Sequence, residues 1–450
     1  MKNLFLAFGI AVSVRGAAAF PAVSVQGLGV DAATRRVTVT YAVAEAPAVV
    51  TANFRTNGVT LAEGVVKTVS GDVNVVVTNR AACYSFEWNP DRDLPGGLPT
   101  PADLSVELQV WSADDPPPYS VIDLTLKGGH FFYASSAAVP GGVQDVRYKT
   151  DFLLLRKIPA AARRFRMGSP VGERGAQNAE FGTVLSEVRH WVTLTNDYYM
   201  GVYEVTQRQY ARITGQRSGA FTDLEVSDLL PVSKVRYSDL RHSDWPSNPN
   251  EVGDATWLGK LRLKTGVSTF DLPTDAQWEF ACRAGTDTGL NNGTQLDYSN
   301  ANRWSLEPGV CPALDVVAWW SSNAAWVTNA VTGAVGLTPH PVGQKAPNAW
   351  GLFDMLGNVT EFCRDWYSEG DVYSDGTDVV EPVGPAVEQL DSRNRGMGRV
   401  VRGGSLGMAA YALRCAYRTR RTATPDSSDV NLYQNGFRVM CLPWFGLSAR

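Results

Sequence analysis

The chain lacks an excess of charge of either sign. Its 450 residues carry 41 Lys and Arg against 45 Asp and Glu, a net charge of −4. The sequence pI is near 5.7. A nucleic-acid binder needs a basic face, so that class is excluded on charge. Zinc patterns are missing too: there is no C-x-x-C, and the four histidines stand apart in the sequence. The serine-hydrolase elbow G-x-S-x-G, the phosphate-binding loop and H-E-x-x-H are all absent. No apolar run reaches the roughly 20 residues that span a bilayer, so no membrane span is expected. Neither an internal repeat nor a low-complexity tract is found.

What is present describes a globular protein. Hydrophobic residues make up 44% and charged residues 19%, enough apolar surface for a core. The length suits two or three domains. Gly 42 and Trp 13 are high counts, which suggests a loop-rich fold pinned by aromatic side chains. Residues 1–19 read as an export signal: Lys2, an apolar run from Leu4 to Val14, then Ala17 and Ala19 as a small-x-small cleavage site before Phe20. The expected location is therefore secreted or periplasmic. In that setting the six cysteines are free to form disulfides.

Residues 20–133 alternate apolar and polar positions with period two. Val37, Val39, Tyr41 and Val43 do so, as do Val73 to Val77, Tyr84 to Trp88, Leu104 to Val110 and Ile122 to Leu126. Asn57-Gly58 is a hairpin signal, because both central positions need positive φ. An all-β sandwich of immunoglobulin or fibronectin type is expected. Residues 134–150, with Pro140-Gly141-Gly142, read as a linker. A second, α+β and loop-rich domain is expected over 151–443, opening with strands in FLLLRKIPA and FRMGSP. Helices are expected after Thr206, stopping at Gly215, after Thr274 with Gln277 as a capping box, and from Asp254 to Lys264 before Gly266.

Three segments of this second domain carry its identity: GVYEVTQRQYARITG (Gly201 to Gly215), LPTDAQWEFACRAGT (Leu272 to Thr286) and NAWGLFDMLGNVTEFCRDWY (Asn348 to Tyr367). They lead into VRGGS (Val401 to Ser405) and NGFRV (Asn435 to Val439). In order and spacing the five closely resemble the formylglycine-generating enzyme, or sulfatase-modifying factor, domain family, over about 290 residues. That fold is related to the C-type lectin-like fold of variable ligand-binding proteins.

The resemblance implies site residues by position. Asp354, Gly357, Val359 and Glu361 match the family's structural calcium loop, an acid side chain, two carbonyls and a glutamate. Hard oxygen donors on a tightly curved backbone suit that ion. A second family calcium loop would follow Ala301-Asn302-Arg303-Trp304, but the chain continues into PGVCPALDVVAWW, so one calcium is expected. Cys282 and Cys415 match a structural disulfide, while two buried thiols are the alternative. Cys83, Cys311, Cys363 and Cys441 stay unassigned.

Active family members hold copper(I) between two thiolates shortly after the GGS. Here Met408 stands at the first position, and no cysteine occurs from Ser405 to Arg414. Copper is therefore not expected; a makeshift Met408 and Cys415 pair is the competing idea, with Met408 as ordinary packing. The related three-histidine iron chemistry needs an added helical domain. His130, His190, His242 and His340 do not supply it. Arg414, Arg418, Arg420 and Arg421 admit two readings, an anion clamp or, preferred, internal pairing with Asp426 and Asp429.

Fold alone does not give function. The expectation is a non-catalytic, exported module that binds a peptide, glycan or protein through Ser405, Met408, Tyr411 and Arg421. The alternatives are an oxidoreductase that generates formylglycine in sulfatases, and a structural or regulatory partner of a related enzyme.

Overall fold

The computed structural model describes residues 21–443 apart from 63, 79–82, 98–103, 113–114, 171, 174–186, 220–224, 243–244, 249–251, 298–309, 325, 329–334, 369–377 and 423–433. The export signal lies outside the described residues, as do the Ala301 to Trp304 motif, Asp426 and Asp429. The fold is mostly β, with few short helices. Among the described residues no helix is long and apolar enough to cross a membrane.

Two compact units are present. In the first, one antiparallel sheet runs in the order Val23–Val30, Val37–Val43, Tyr84–Trp88, Ser70–Gly71. In a second sheet, Ala48–Thr56 pairs with Leu104–Ser112 on one side and with Val76–Val77 and Val59–Thr60 on the other. Their alternating apolar positions meet in one core: Val37, Val39, Tyr41 and Phe86 from the first sheet pack with Val50, Phe54, Val106 and Leu108 from the second. Asn57 and Gly58 take φ of 51° and 75° and close a hairpin between Thr56 and Val59, as the Asn-Gly pair predicts.

Residues 134–148 belong to this unit and are not an extended linker. Ser136–Ala138 forms a 3-10 turn capped by Ser135, Val139 and Tyr148 are buried, and the Gly64 amide donates to the Ala137 carbonyl. The period-two pattern also overreached at Leu126, which is exposed beyond the strand Tyr119–Asp123.

The second unit, from Lys149 to Leu442 with Asp123–Gly128, is built around one aromatic core. The expected opening strands are Phe152–Ile158 and Arg163–Met167. Helix Gln207–Thr214 starts at Thr206, whose side chain accepts from the Gln209 amide, and stops at Gly215 in a left-handed cap. Helix Asp275–Arg283 carries the predicted box between Thr274 and Gln277. The third helix is shorter than expected. It spans Trp257–Thr265, because Thr256 supplies the cap that Asp254 does not. Helix Pro312–Val317 was not foreseen; only Pro312 at its first turn marks it.

At the centre of this unit, strand Thr360–Trp366 pairs antiparallel with Arg399–Arg402 and parallel with Asn435–Gly436, while Arg418–Arg421 extends the sheet beyond Arg399–Arg402. This sheet joins the DMLGNVTE loop, the GGS turn and the NGFRV segment into one neighbourhood.

Candidate functional site

The loop from Asp354 to Glu361 owes its shape to three left-handed residues. Asp354, Gly357 and Asn358 have φ of 54°, 82° and 54°. Gly357 has no substitute: a Cβ there would sit 2.2 Å from the Trp319 carbonyl oxygen. The Gly357 amide donates to the Gly403 carbonyl, the Asn358 amide to the Trp319 carbonyl, and the Leu406 amide to the Asn358 carbonyl. The buried Asn358 side chain accepts from the His340 amide at 3.0 Å and donates to Glu204 at 2.7 Å and to the His340 carbonyl. Asn358 thus ties the glutamate of GVYEVT to the turn after GGS.

Three buried carboxylates face this loop. Glu361 accepts two bonds at each oxygen: Arg438 Nε and Nη2 at Oε1, Arg438 Nε and Trp278 Nε1 at Oε2, all within 2.6–2.9 Å. Glu204 accepts from the Val359 amide at 3.1 Å. Asp354 Oδ2 accepts from the Gly343 amide at 2.6 Å, while Oδ1 is buried without a partner. Burial is the first cause that holds the Asp354 carboxyl up at about 6. Burial, then the charges of Asp354 and Glu361, pushes Glu204 well above the usual carboxylate range. Arg438 is the buried guanidinium nearest all three, and Lys149 and Lys345 also act on Asp354.

For a calcium ion this set fits in part. The free Asp354 oxygen is a hard donor aligned with the need. Glu361 has no lone pair left: its oxygens are committed to Arg438 and Trp278. Among the described residues no three His, Cys, Asp or Glu side chains gather as a metal cluster.

The segment after Gly404 places the four expected ligand contacts differently. Ser405 is buried and its hydroxyl bonds the Gln434 side chain, so it braces the NGFRV approach and offers nothing to a ligand in this state. Met408 is half-buried against the aromatic core, and its carbonyl accepts from the Ser321 amide. Tyr411 is half-buried, edge-on to Tyr417 at 6.1 Å between ring centroids. Arg421 Nε donates to Asn435 Oδ1 at 2.9 Å. Ser405 and Arg421 therefore converge on the adjacent Gln434 and Asn435, whereas Met408 and Tyr411 lean on the core.

Copper does not fit these residues. Cys415 Sγ lies 3.6 Å from Cys282 Sγ, both buried as thiols in the core. Its sulfur thus faces Cys282, and the Met408 thioether packs among apolar side chains. The arginine run is internally paired among the described residues, while Asp426 and Asp429, its expected partners, lie outside them. Arg414 is fully buried against Glu173, Glu187 and Ser169; Arg418 reaches Asp275 and Arg420 reaches Asp391. Asp275 and Glu279 also hold Arg402.

Sequence reading missed Glu204, Asn358, Trp278 and Arg438 as site residues. Each lies inside a quoted motif, but their pairing spans up to 155 positions for Glu204 and Val359, a distance no local pattern encodes.

Residues 162–441 match the model of the sulfatase-modifying factor enzyme 1-like domain. The chain is 29% identical over 204 residues to the chaperone protein LppX of Paenibacillus barcinonensis, covering 39% of this chain and 65% of that one. It is 31% identical over 212 residues to the formylglycine-generating enzyme of Thermomonospora curvata, covering 45% of this chain and 58% of the other. With the mouse formylglycine-generating enzyme the identity is 31% over 352 residues, covering 68% of this chain and 79% of its counterpart. The chain thus spans less than two thirds of the length of the first two relatives.

Proposed function

The chain belongs to the sulfatase-modifying factor enzyme 1-like domain family, and we propose that within it this protein is an exported, non-catalytic module that binds a peptide, glycan or protein. One observation carries this reading: where thiolates would hold copper(I), the chain offers Met408, packed into the core, and no cysteine before Cys415. Copper, when bound by two thiolates, supplies the oxygen chemistry that makes an aldehyde from cysteine. A thioether and a buried thiol facing another thiol do not replace that donor pair.

The binding surface on this reading is the face near Tyr411 and Arg421. Arg421 presents a guanidinium oriented by Asn435, and guanidinium forks suit carboxylates and amide carbonyls. Ser405 acts from beneath, by fixing Gln434. The first unit, with two sheets sharing one core, is read as an immunoglobulin-like sandwich that presents the binding unit. Export rests on the Lys2 to Ala19 pattern.

A single structural calcium is part of the proposal. Asp354 Oδ1 would be its side-chain donor, with the Gly357 and Val359 carbonyls as the further donors the family motif implies; Glu361 joins only by releasing Trp278 or one arginine N–H. The buried, unpartnered Asp354 oxygen supports it.

Two measurements test the function. The purified chain, loaded with copper(I) and given a Cys-x-Pro-x-Arg peptide, is expected to yield no aldehyde. Binding to a peptide and glycan array is expected, and is lost on Tyr411→Ala or Arg421→Ala. Aldehyde formation, or array binding indifferent to both changes, would replace this reading.

A further inference from the structure

The sheet formed by Arg163–Met167, His190–Leu194 and Val379–Val380 buries one face and shows the other. Phe165 packs on Phe280 at 5.1 Å, and Val192 and Leu194 are buried. Strand alternation turns the intervening residues outward. Register sets Arg166 opposite Trp191 and Arg164 opposite Thr193, and Thr193 lies beside the exposed Val380. The outward face therefore carries Arg164, Arg166, Trp191, Thr193 and Val380.

Both arginines rest on the same indole. Arg164 Cζ is 4.1 Å and Arg166 Cζ 4.7 Å from the Trp191 ring centroid. Arg164 has one acid partner, the exposed Asp378 at 2.5 Å. Arg163, exposed at the strand start, and Arg166 have no acidic partner among the described residues. In a chain of net charge −4, this is a local surplus of cations. Charge on such a strand also guards it against pairing with another chain. That role needs only charge; it does not need two guanidiniums parked on an indole. Stacking on Trp191 holds each guanidinium plane in place, so less rotamer freedom is lost when its N–H edge meets an anion.

We propose that this face binds a sulfated polysaccharide. Two guanidiniums spaced along one exposed strand suit an extended polymer better than a small ion. The cations are all arginine, and the guanidinium is weakly hydrated. It pairs better with a weakly hydrated sulfate ester than with a strongly hydrated carboxylate. Sulfates repeated along a polymer would engage Arg164 and Arg166 in turn, and each bound group raises the effective concentration of the next.

The experiment uses the full chain on immobilised dextran sulfate at physiological salt, with polygalacturonate, unsulfated dextran and single-stranded DNA as parallel surfaces. Dextran sulfate is expected to bind best. Arg164→Gln with Arg166→Gln should weaken it by about tenfold or more, a loss of about 1.4 kcal/mol, with the thermal midpoint unchanged. If that variant fails to fold, Arg164→Lys with Arg166→Lys keeps the charge and removes the fork, and is expected to weaken binding as well. Undiminished binding by a folded variant overturns the proposal. So does equal or stronger capture on polygalacturonate or DNA. Tyr411 and Arg421 are not involved, so failure here leaves the proposed function standing, and the converse holds.

Discussion

Arg438 and Glu361 meet fully buried, with three arginine–carboxylate contacts of 2.7–2.9 Å. The guanidinium goes on to the Gly201 and Phe353 carbonyls at 2.8 and 2.9 Å. It is the joint between the motif that starts the second unit's signature and the motif that ends it. Removing one partner of such a pair strands the other charge away from water. Arg438→Met is expected to destabilise the chain by about 3–5 kcal/mol. Urea unfolding followed by fluorescence, at neutral pH, measures it.

Gly357→Ala tests the loop itself. The new methyl meets a backbone oxygen rather than a flexible side chain, at a φ that alanine resists. A loss of about 2–4 kcal/mol is expected, and the thermal midpoint should fall correspondingly. Gly266→Ala is the control: it has a similar φ of 77° but open space around it, so its loss should be smaller.

Asp365 gives a pH signature. It is buried, and burial first, then the charge of Asp275, holds its carboxyl up at about 7. The folded state thus keeps a proton that the unfolded chain releases near 3.8, the ordinary value for an aspartate. Stability from this group is full below that lower value, falls as pH rises, and has gone once pH exceeds about 7. Asp365→Asn should raise the urea midpoint at pH 8 and leave it unchanged near pH 4. Equal midpoint shifts at the two pH values would contradict the assignment.

Cys282 and Cys415 are 133 positions apart and their sulfurs are 3.6 Å apart. Material exported through an oxidising compartment is expected to carry them as a disulfide. Alkylation of the denatured, unreduced chain should then leave both unlabelled. Closing so long a loop is worth roughly 5 kcal/mol in the chain-entropy model, so Cys282→Ala should lower the denaturant midpoint far more in oxidised than in reduced preparations.

Calcium should raise the thermal midpoint if Asp354 is a ligand, and a chelator should reverse the shift. Asp354→Ala would abolish the response. Magnesium, which demands tighter octahedral geometry and dehydrates reluctantly, should give less.

Local chemistry in the sequence was enough for the helix ends and the hairpin. Thr206, Thr274, Gly215 and Gly266 each act through atoms within four residues, so their roles are written in place. The same holds for Asn57-Gly58. The central sheet was not expected as such, although Thr360–Trp366, Arg399–Arg402 and Asn435–Gly436 fall within or beside the quoted motifs.

The site was less legible because its contacts are long-range. Ser405 was expected at a surface, and polar character gave no hint that Gln434 would take its hydroxyl. The arginine run was expected to pair with nearby aspartates. The expected aspartates lie outside the described residues, and Arg414 reaches Glu173, 241 positions earlier. A guanidinium's partner is decided by how strands stack, and sequence distance says little about it.

Arg438 has one more implication, for the order of events during synthesis. Glu204, Asp354 and Glu361 all leave the ribosome before it, and Gly201, whose carbonyl it binds, precedes it by 237 residues. At roughly 5–20 residues per second, Glu204 waits about 12–47 seconds for this cation, and Asp354 and Glu361 about 4–17 seconds. Until it emerges, the second unit cannot close its centre, and a nascent chain stalled short of that point would remain an open client for chaperones.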